Sequence, residues 1–162
     1  MKQIFLTLFA MLLTITAAAQ SINEEDLVGI WVEYASDDPN ELNVCIFNSD
    51  YTVNLAMTVM DEDFGKYVVY ACKGRWTLND NQLSFIPDVA TLQFTVINGT
   101  DTEKASYQAL LEDGKDIICE NIMAGYGNMT VLSVTSKKLV YKFWDTETGS
   151  YVTSEMENKE NL

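Results

Sequence analysis

The chain has 162 residues, with 24 Asp and Glu against 10 Lys and Arg and no His, for a formal net charge of −14 at pH 7. That length bounds a single domain. The acidity repels phosphate backbones and anionic lipid headgroups and so argues against nucleic acid as a partner. The missing His removes His-based triads, His metal ligands and His general bases.

The N-terminus reads Met1-Lys2-Gln3, then an apolar run from Ile4 to Thr16, then Ala17-Ala18-Ala19-Gln20. A positive start, an apolar stretch and a small-residue cleavage site predict a signal peptide over 1–19, cut after Ala19. The apolar run is broken by Thr7, Thr14 and Thr16 and falls short of a membrane span. No Cys follows it closely, so a lipid-modified N-terminal Cys is not expected, and no later segment is apolar enough to be a transmembrane segment. The expected destination is the periplasm or the extracellular space. Residues 20–26 are polar and read as a leader. The remaining chain is long enough to bury roughly two-thirds of its unfolded surface without disulfides or a metal.

From Leu27 onward strand follows strand. Residues 27–34 open the domain, and Asp37-Asp38-Pro39-Asn40 turns it. A strand over 42–47 precedes the tight turn Asn48-Ser49-Asp50. Residues 51–60 alternate, with Tyr51, Val53, Leu55, Met57 and Val59 on one face, the period of a half-buried strand. Strands follow over 67–78, 82–86 and 91–97, with Pro87-Asp88 between the last two. Ala105, Tyr107, Leu110 and Leu111 stand at helical spacing and predict a short helix over 103–112, ended near Gly114. Strands are then expected over 117–123, 129–135, 139–144 and 151–156, with Gly125-Tyr126-Gly127-Asn128 as a turn. Residues 157–162 read as a disordered tail. The prediction is an all-β, antiparallel domain over 27–156, with eight to ten strands and one short helix. Short strands at this spacing form a sandwich or a barrel, and barrel closure removes exposed edges.

Three segments carry a family resemblance. Gly29-Ile30-Trp31 resembles the G-x-W opening of lipocalin and calycin barrels. Val44-Cys45-Ile46-Phe47-Asn48-Ser49-Asp50-Tyr51-Thr52 resembles the second hairpin of small lipocalin-like domains of exported bacterial proteins, with Tyr51 where Gly is usual. The stretch from Val131 to Tyr141 resembles the closing hairpin. The resemblance implies a lipocalin-like barrel and a binding role. It assigns structural parts to Gly29, for close backbone approach to the closing strand, and to Trp31, as a plug whose indole N–H meets a carbonyl.

The chemistry-bearing residues are few. Cys45, Cys72 and Cys119 make an odd number for an exported chain, so at least one is unpaired within it. Their apolar settings read as buried small hydrophobes, with a Cys45–Cys72 bridge as the alternative if their strands are neighbours. No G-x-S-x-G, phosphate loop or CxxC occurs. Asp61-x-Asp63-x-Gly65 and Asp145-x-Glu147-x-Gly149 place alternating acids before Gly, as calcium loops do. Neither has the bidentate Glu at the twelfth position, so both read as solvated hairpin tips. Asn98-Gly99-Thr100 and Asn128-Met129-Thr130 match the glycosylation pattern and read as turn residues. Tyr70, Cys72 and Trp76 share a strand face, and with Phe47 and Phe85 they form the candidate lining of a ligand cavity, alongside Phe94. Core packing is the alternative, since barrels of this size are readily filled by side chains. The expected function is non-catalytic binding of a small hydrophobic ligand, with no cofactor and no metal. The alternative is a protein partner docked on a filled barrel, with Tyr34, Tyr126 and Trp144 as surface candidates.

Overall fold

A computed structural model describes residues 22–34, 38–62, 65–146 and 148–159; the expected signal peptide lies outside them. One helical turn, α1 (Glu24–Leu27), leads into β1 (Gly29–Tyr34), β2 (Leu42–Phe47), β3 (Thr52–Asp61), β4 (Lys66–Asn79) and β5 (Gln82–Val96). Helix α2 (Asp101–Tyr126) follows, then β6 (Met129–Val134), β7 (Lys138–Asp145) and β8 (Ser150–Asn158). Each strand pairs antiparallel with the next, and β8 pairs back on β1. The result is a closed, eight-stranded antiparallel barrel, the all-β class that the strand spacing indicates.

Alternation sets which side chains point inward. In β4, Cys72, Gly74 and Trp76 are buried while Lys73, Arg75 and Thr77 are exposed. In β1, Gly29, Trp31 and Glu33 are buried and Ile30 and Tyr34 are exposed. The meander gives the barrel two ends. The start of β1 and the turns after β2, β4 and β6 share the lower end. The other hairpin connections share the upper end, where α2 also starts before it runs down to Met129 beside Leu83.

Two elements differ from the sequence expectation. The strands read over 82–86 and 91–97 are one strand, β5, whose register against β4 jumps from Lys73↔Asp88 to Ala71↔Gln93. The bulge carries the chain past Pro87 without ending the strand. Strand β6 reaches β5 only at Gln82 and Leu83, so beyond them β5 is an edge, where Pro is tolerated. The larger correction is the helix. It runs 26 residues and absorbs the strand read over 117–123. Ile117-Ile118-Cys119 looks β-like locally, but Cys119, Ile122 and Tyr126 fall three and four apart on one buried helical face. The start is fixed by a capping box: Glu103 N–H donates to Thr100 Oγ1 (3.3 Å) and Thr100 N–H donates to the Glu103 carboxylate (2.7 Å). Lys66 Nζ also meets that carboxylate at 2.6 Å, and this ion pair first, then the Thr100 hydrogen bonds, holds it down to about pKa 2.

The lower end is sealed. Leu27 and Trp31 are fully buried, and the Trp31 indole N–H donates to the Leu27 carbonyl at 2.7 Å. Gly29 pairs with Phe47 of β2 and has φ 146°, a backbone state that L side chains rarely adopt. Tyr51 has φ 63°. A bulky residue is strained there, whereas Gly adopts this conformation at little cost. Tyr51 is held by its hydroxyl, donating to Glu24 at 2.6 Å, and by its ring, 5.3 Å from that of Trp76.

Barrel closure falls on residues read as tail. The two β1–β8 pairs are Trp31↔Asn158 and Val32↔Glu157. Lys159 N–H donates to the Ile30 carbonyl and Asn158 N–H to the Lys137 carbonyl, both at 2.8 Å. Ending the chain at Met156 removes these bonds, at roughly 1 kcal/mol each. We expect a loss of about 2–4 kcal/mol and a thermal midpoint lower by roughly 10 °C. A chain ending at Lys159 should melt like the full chain. Equal midpoints for the two truncations, by circular dichroism, would contradict closure through this pair.

Candidate binding pocket at the barrel mouth

Three of the four expected ligand contacts meet inside the lower barrel, and they fill it. The rings of Phe47 and Trp76 pack edge to face, centroids 5.6 Å apart. Trp76 donates its indole N–H to the Asn48 carbonyl at 3.1 Å. The Phe85 ring lies over Gly74, where an added Cβ would come within 2.4 Å of the ring and 2.3 Å of the Ile86 oxygen. The void among Cys45, Phe47, Leu55, Phe85, Tyr126 and Met129 measures about 10 Å³, no more than the space of one water. Tyr70 stands apart. It is half-buried further up β4, with its ring 6.3 Å from that of Phe94, which lies 5.9 Å from Tyr107. The sequence face is right, but the four residues do not line one cavity.

The cysteines are free and buried. Strand β3 separates Cys45 from Cys72, with Leu55 paired to both, so the bridge considered between them does not form. Burial pushes the Cys45 thiol up, helped by the Glu33 charge, and pushes Cys72 up to about 11.

The polar centre of the interior is Glu33, 8% exposed and the one buried charged side chain among the described residues. Its place follows from the β1 alternation, which sends it inward two residues after Trp31. Oε1 accepts from the Tyr141 hydroxyl at 2.7 Å and from the Ser154 hydroxyl. Oε2 accepts from the Tyr126 hydroxyl at 2.7 Å and from Asn43 Nδ2 at 3.0 Å. A carboxylate has about four acceptor positions, and donors from β2, α2, β7 and β8 occupy them. Tyr126 was expected in a turn and at the surface. It is buried instead, because α2 continues to Tyr126 and delivers it into the barrel. Burial raises the Tyr126 and Tyr141 hydroxyls well above the ordinary value of 10.0, with like charge from neighbouring acids adding to it.

Above this network the wall opens. Strand β8 pairs with β1 only at its last two residues, so its upper part stands clear of Tyr34. A pocket of about 320 Å³ occupies the gap, walled by Tyr34, Phe143 and Val152 and floored by Glu33, Tyr126 and Tyr141. A second concavity lies outside the barrel, where the β5 bulge overhangs β2–β4. It measures about 350 Å³ and is lined by Val44, Ile46, Ala56, Ala71 and Ala90 among others. Trp144 is exposed on the outer wall, its ring edge-on to Tyr151 at 5.1 Å, and Tyr34 is exposed at the mouth rim.

The acidic hairpin tips are only partly described: Asp63 and Glu147 lie outside the described residues, and Asp61 accepts the Tyr107 hydroxyl. Among the described residues no three His, Cys, Asp or Glu are placed to hold a metal, and no helix is long and apolar enough to cross a membrane.

The raised groups make stability pH-dependent. Cys45 titrates ordinarily at 9.0 and Tyr126 and Tyr141 at 10.0, and all three lie higher when folded. Below pH 9 both states keep these protons and the full stability is present. Above pH 9 for Cys45, and above pH 10 for the tyrosines, the unfolded chain releases protons that the folded chain keeps. Stability then falls by about 1.4 kcal/mol per pH unit per group. Urea titrations between about pH 7 and pH 11 should show a flat region followed by this decline, and Tyr126→Phe should remove one group's share above pH 10. A curve flat to pH 11 would contradict the burial of these groups. In comparisons with known proteins, no protein-family model matches the chain and no curated protein matches it.

Proposed function

We propose that the domain is an exported, lipocalin-like, non-catalytic binding protein, acting in the periplasm or outside the cell, that holds a small and largely apolar molecule at the mouth of its barrel. The mouth pocket carries this reading. Its volume of about 320 Å³ lies at the lower end of the usual range for ligand sites. Aromatic and aliphatic walls over a few convergent polar groups are the usual make-up of such sites. The filled lower barrel moves the binding place up from the Phe47, Trp76 and Phe85 cluster, which serves as a rigid floor. The barrel itself, the G-x-W opening and the signal-peptide pattern support the lipocalin-like and export parts of the reading.

A second reading, a protein partner docked on the outer wall, is favoured by one observation. Val44, Ile46, Ala56, Ala71 and Ala90 line the groove under the β5 bulge, rimmed by Asn54, Lys73, Thr91 and Gln93, while Ile86 and Val89 beside it are exposed. Apolar surface rimmed by polar residues marks interaction sites.

Native mass spectrometry of the mature domain, purified from an exporting host and extracted with organic solvent in parallel, separates the two. We expect a reproducible added mass that is released as a small organic molecule, and at least tenfold weaker rebinding when Val152→Trp fills the mouth. A bare protein mass that survives exposure to a lipid mixture would overturn mouth binding and leave the outer groove.

A further inference from the structure

We infer that the mouth pocket selects a quaternary ammonium group, carried on a short apolar stem and held against the pocket's aromatic walls above Glu33. This inference rests on the mouth-pocket reading and names its ligand class.

The charge comes first. Glu33 is the one charged side chain among the described residues that line the pocket, and it is more than nine-tenths buried. Its four partners are neutral hydroxyls and an amide. They satisfy its hydrogen bonds but supply no counter-charge. A neutral ligand would dehydrate that charge further, whereas a cation in the pocket would balance it.

The kind of cation follows from the same contacts. Both Glu33 oxygens already accept two hydrogen bonds each, so an incoming N–H donor finds no free acceptor there. A primary ammonium would trade the water on its three donors for the neutral hydroxyl oxygens around Glu33, poorer acceptors than a free carboxylate. A quaternary ammonium has no N–H to satisfy.

The walls fit such a group. Tyr34, Tyr126, Tyr141 and Phe143 all line the pocket, and aromatic rings around a buried site are the recognised setting for quaternary ammonium ions. The rim already interacts with a cation: Lys159 Nζ lies 6.0 Å from the centre of the Tyr34 ring while bonded to Glu157. A pocket of about 320 Å³ has room for about ten water molecules at liquid density, enough for a trimethylammonium head and a short stem. The net charge of −14 raises the local concentration of cations.

The test uses the mature chain and three probes: choline; 3,3-dimethylbutan-1-ol, the neutral carbon counterpart of choline; and ethanolamine, which keeps the charge but has N–H donors. Titrations are followed by NMR shifts of the Val152 methyl groups. We expect choline to bind at least tenfold more tightly than either of the others, with the preference shrinking as salt rises. Glu33→Gln should abolish the preference over the carbon counterpart. Because that change disturbs the buried network, Tyr34→Leu serves as a second variant. Tyr34 is half exposed and outside the network, and its loss should weaken choline several-fold while the fold persists. Equal binding of choline and its carbon counterpart would overturn the cation inference and leave an apolar mouth site standing. Tighter ethanolamine binding would overturn the quaternary preference. No shift with any probe would overturn this inference, while the added mass in the native spectra decides the mouth-pocket reading separately.

Discussion

A carboxylate enclosed in a barrel needs donors on every side, and Glu33 takes them from four separate elements. Asn43 comes from β2, Tyr126 from the end of α2, Tyr141 from β7 and Ser154 from β8. Removing any one donor leaves a buried acceptor short, at about 1–3 kcal/mol. The network therefore fixes where the helix ends, how deeply Tyr126 enters the barrel and how β7 and β8 stand relative to β1. Charged residues are seldom buried without this degree of compensation. Whether such a group adds stability over an apolar substitute is a separate matter, and buried polar groups often add specificity instead.

The two halves of the barrel follow from that arrangement. Below Glu33 the interior is apolar and closed by Trp31, Trp76, Phe47 and Phe85, with Tyr126 as its ceiling. Eight strands enclose a space that large aromatics can fill, and they do so here. Above Glu33 the β1–β8 seam parts, and the same tyrosines that complete the network become the floor of a pocket. The feature that satisfies the buried charge is thus also the feature that shapes the mouth.

Much of this was legible in the sequence. Period-two alternation placed Val53 and Leu55 on the core face and set Cys72 with Trp76, the G-x-W resemblance gave Trp31 its plug role, and turn signals marked the β2–β3, β4–β5 and β6–β7 hairpins. What failed had local causes. Ile117-Ile118-Cys119 favours a strand by composition, and only the tertiary contacts of Cys119, Ile122 and Tyr126 hold it in a helix. The Thr100-x-x-Glu103 capping box was present as a start signal, but Gly114, read as the end, lies in open space within the helix, and the cap is Gly127, whose N–H donates to the Met123 carbonyl. Residues Glu157 and Asn158 look like polar tail because one face of an outer strand is solvated, and their partners on β1 are more than a hundred positions away in sequence. Glu33 was the signal most within reach: two residues after a buried Trp in an alternating strand, it had to point inward. Tyr126 was not within reach, because its role depends on where the helix stops. The candidate site was misplaced for the same reason, since a cluster of inward aromatics does not reveal whether they line a space or fill it.

Glu33 and the helix end are energetically coupled through the buried hydroxyl of Tyr126. A double-mutant cycle with Glu33→Gln and Tyr126→Phe, read by urea denaturation at neutral pH, addresses this coupling most directly. The account requires a coupling of about 1–3 kcal/mol, the range for residues that share one buried network. Effects that add to within about 0.5 kcal/mol would mean that the two residues act independently, and that Glu33 does not organise the mouth.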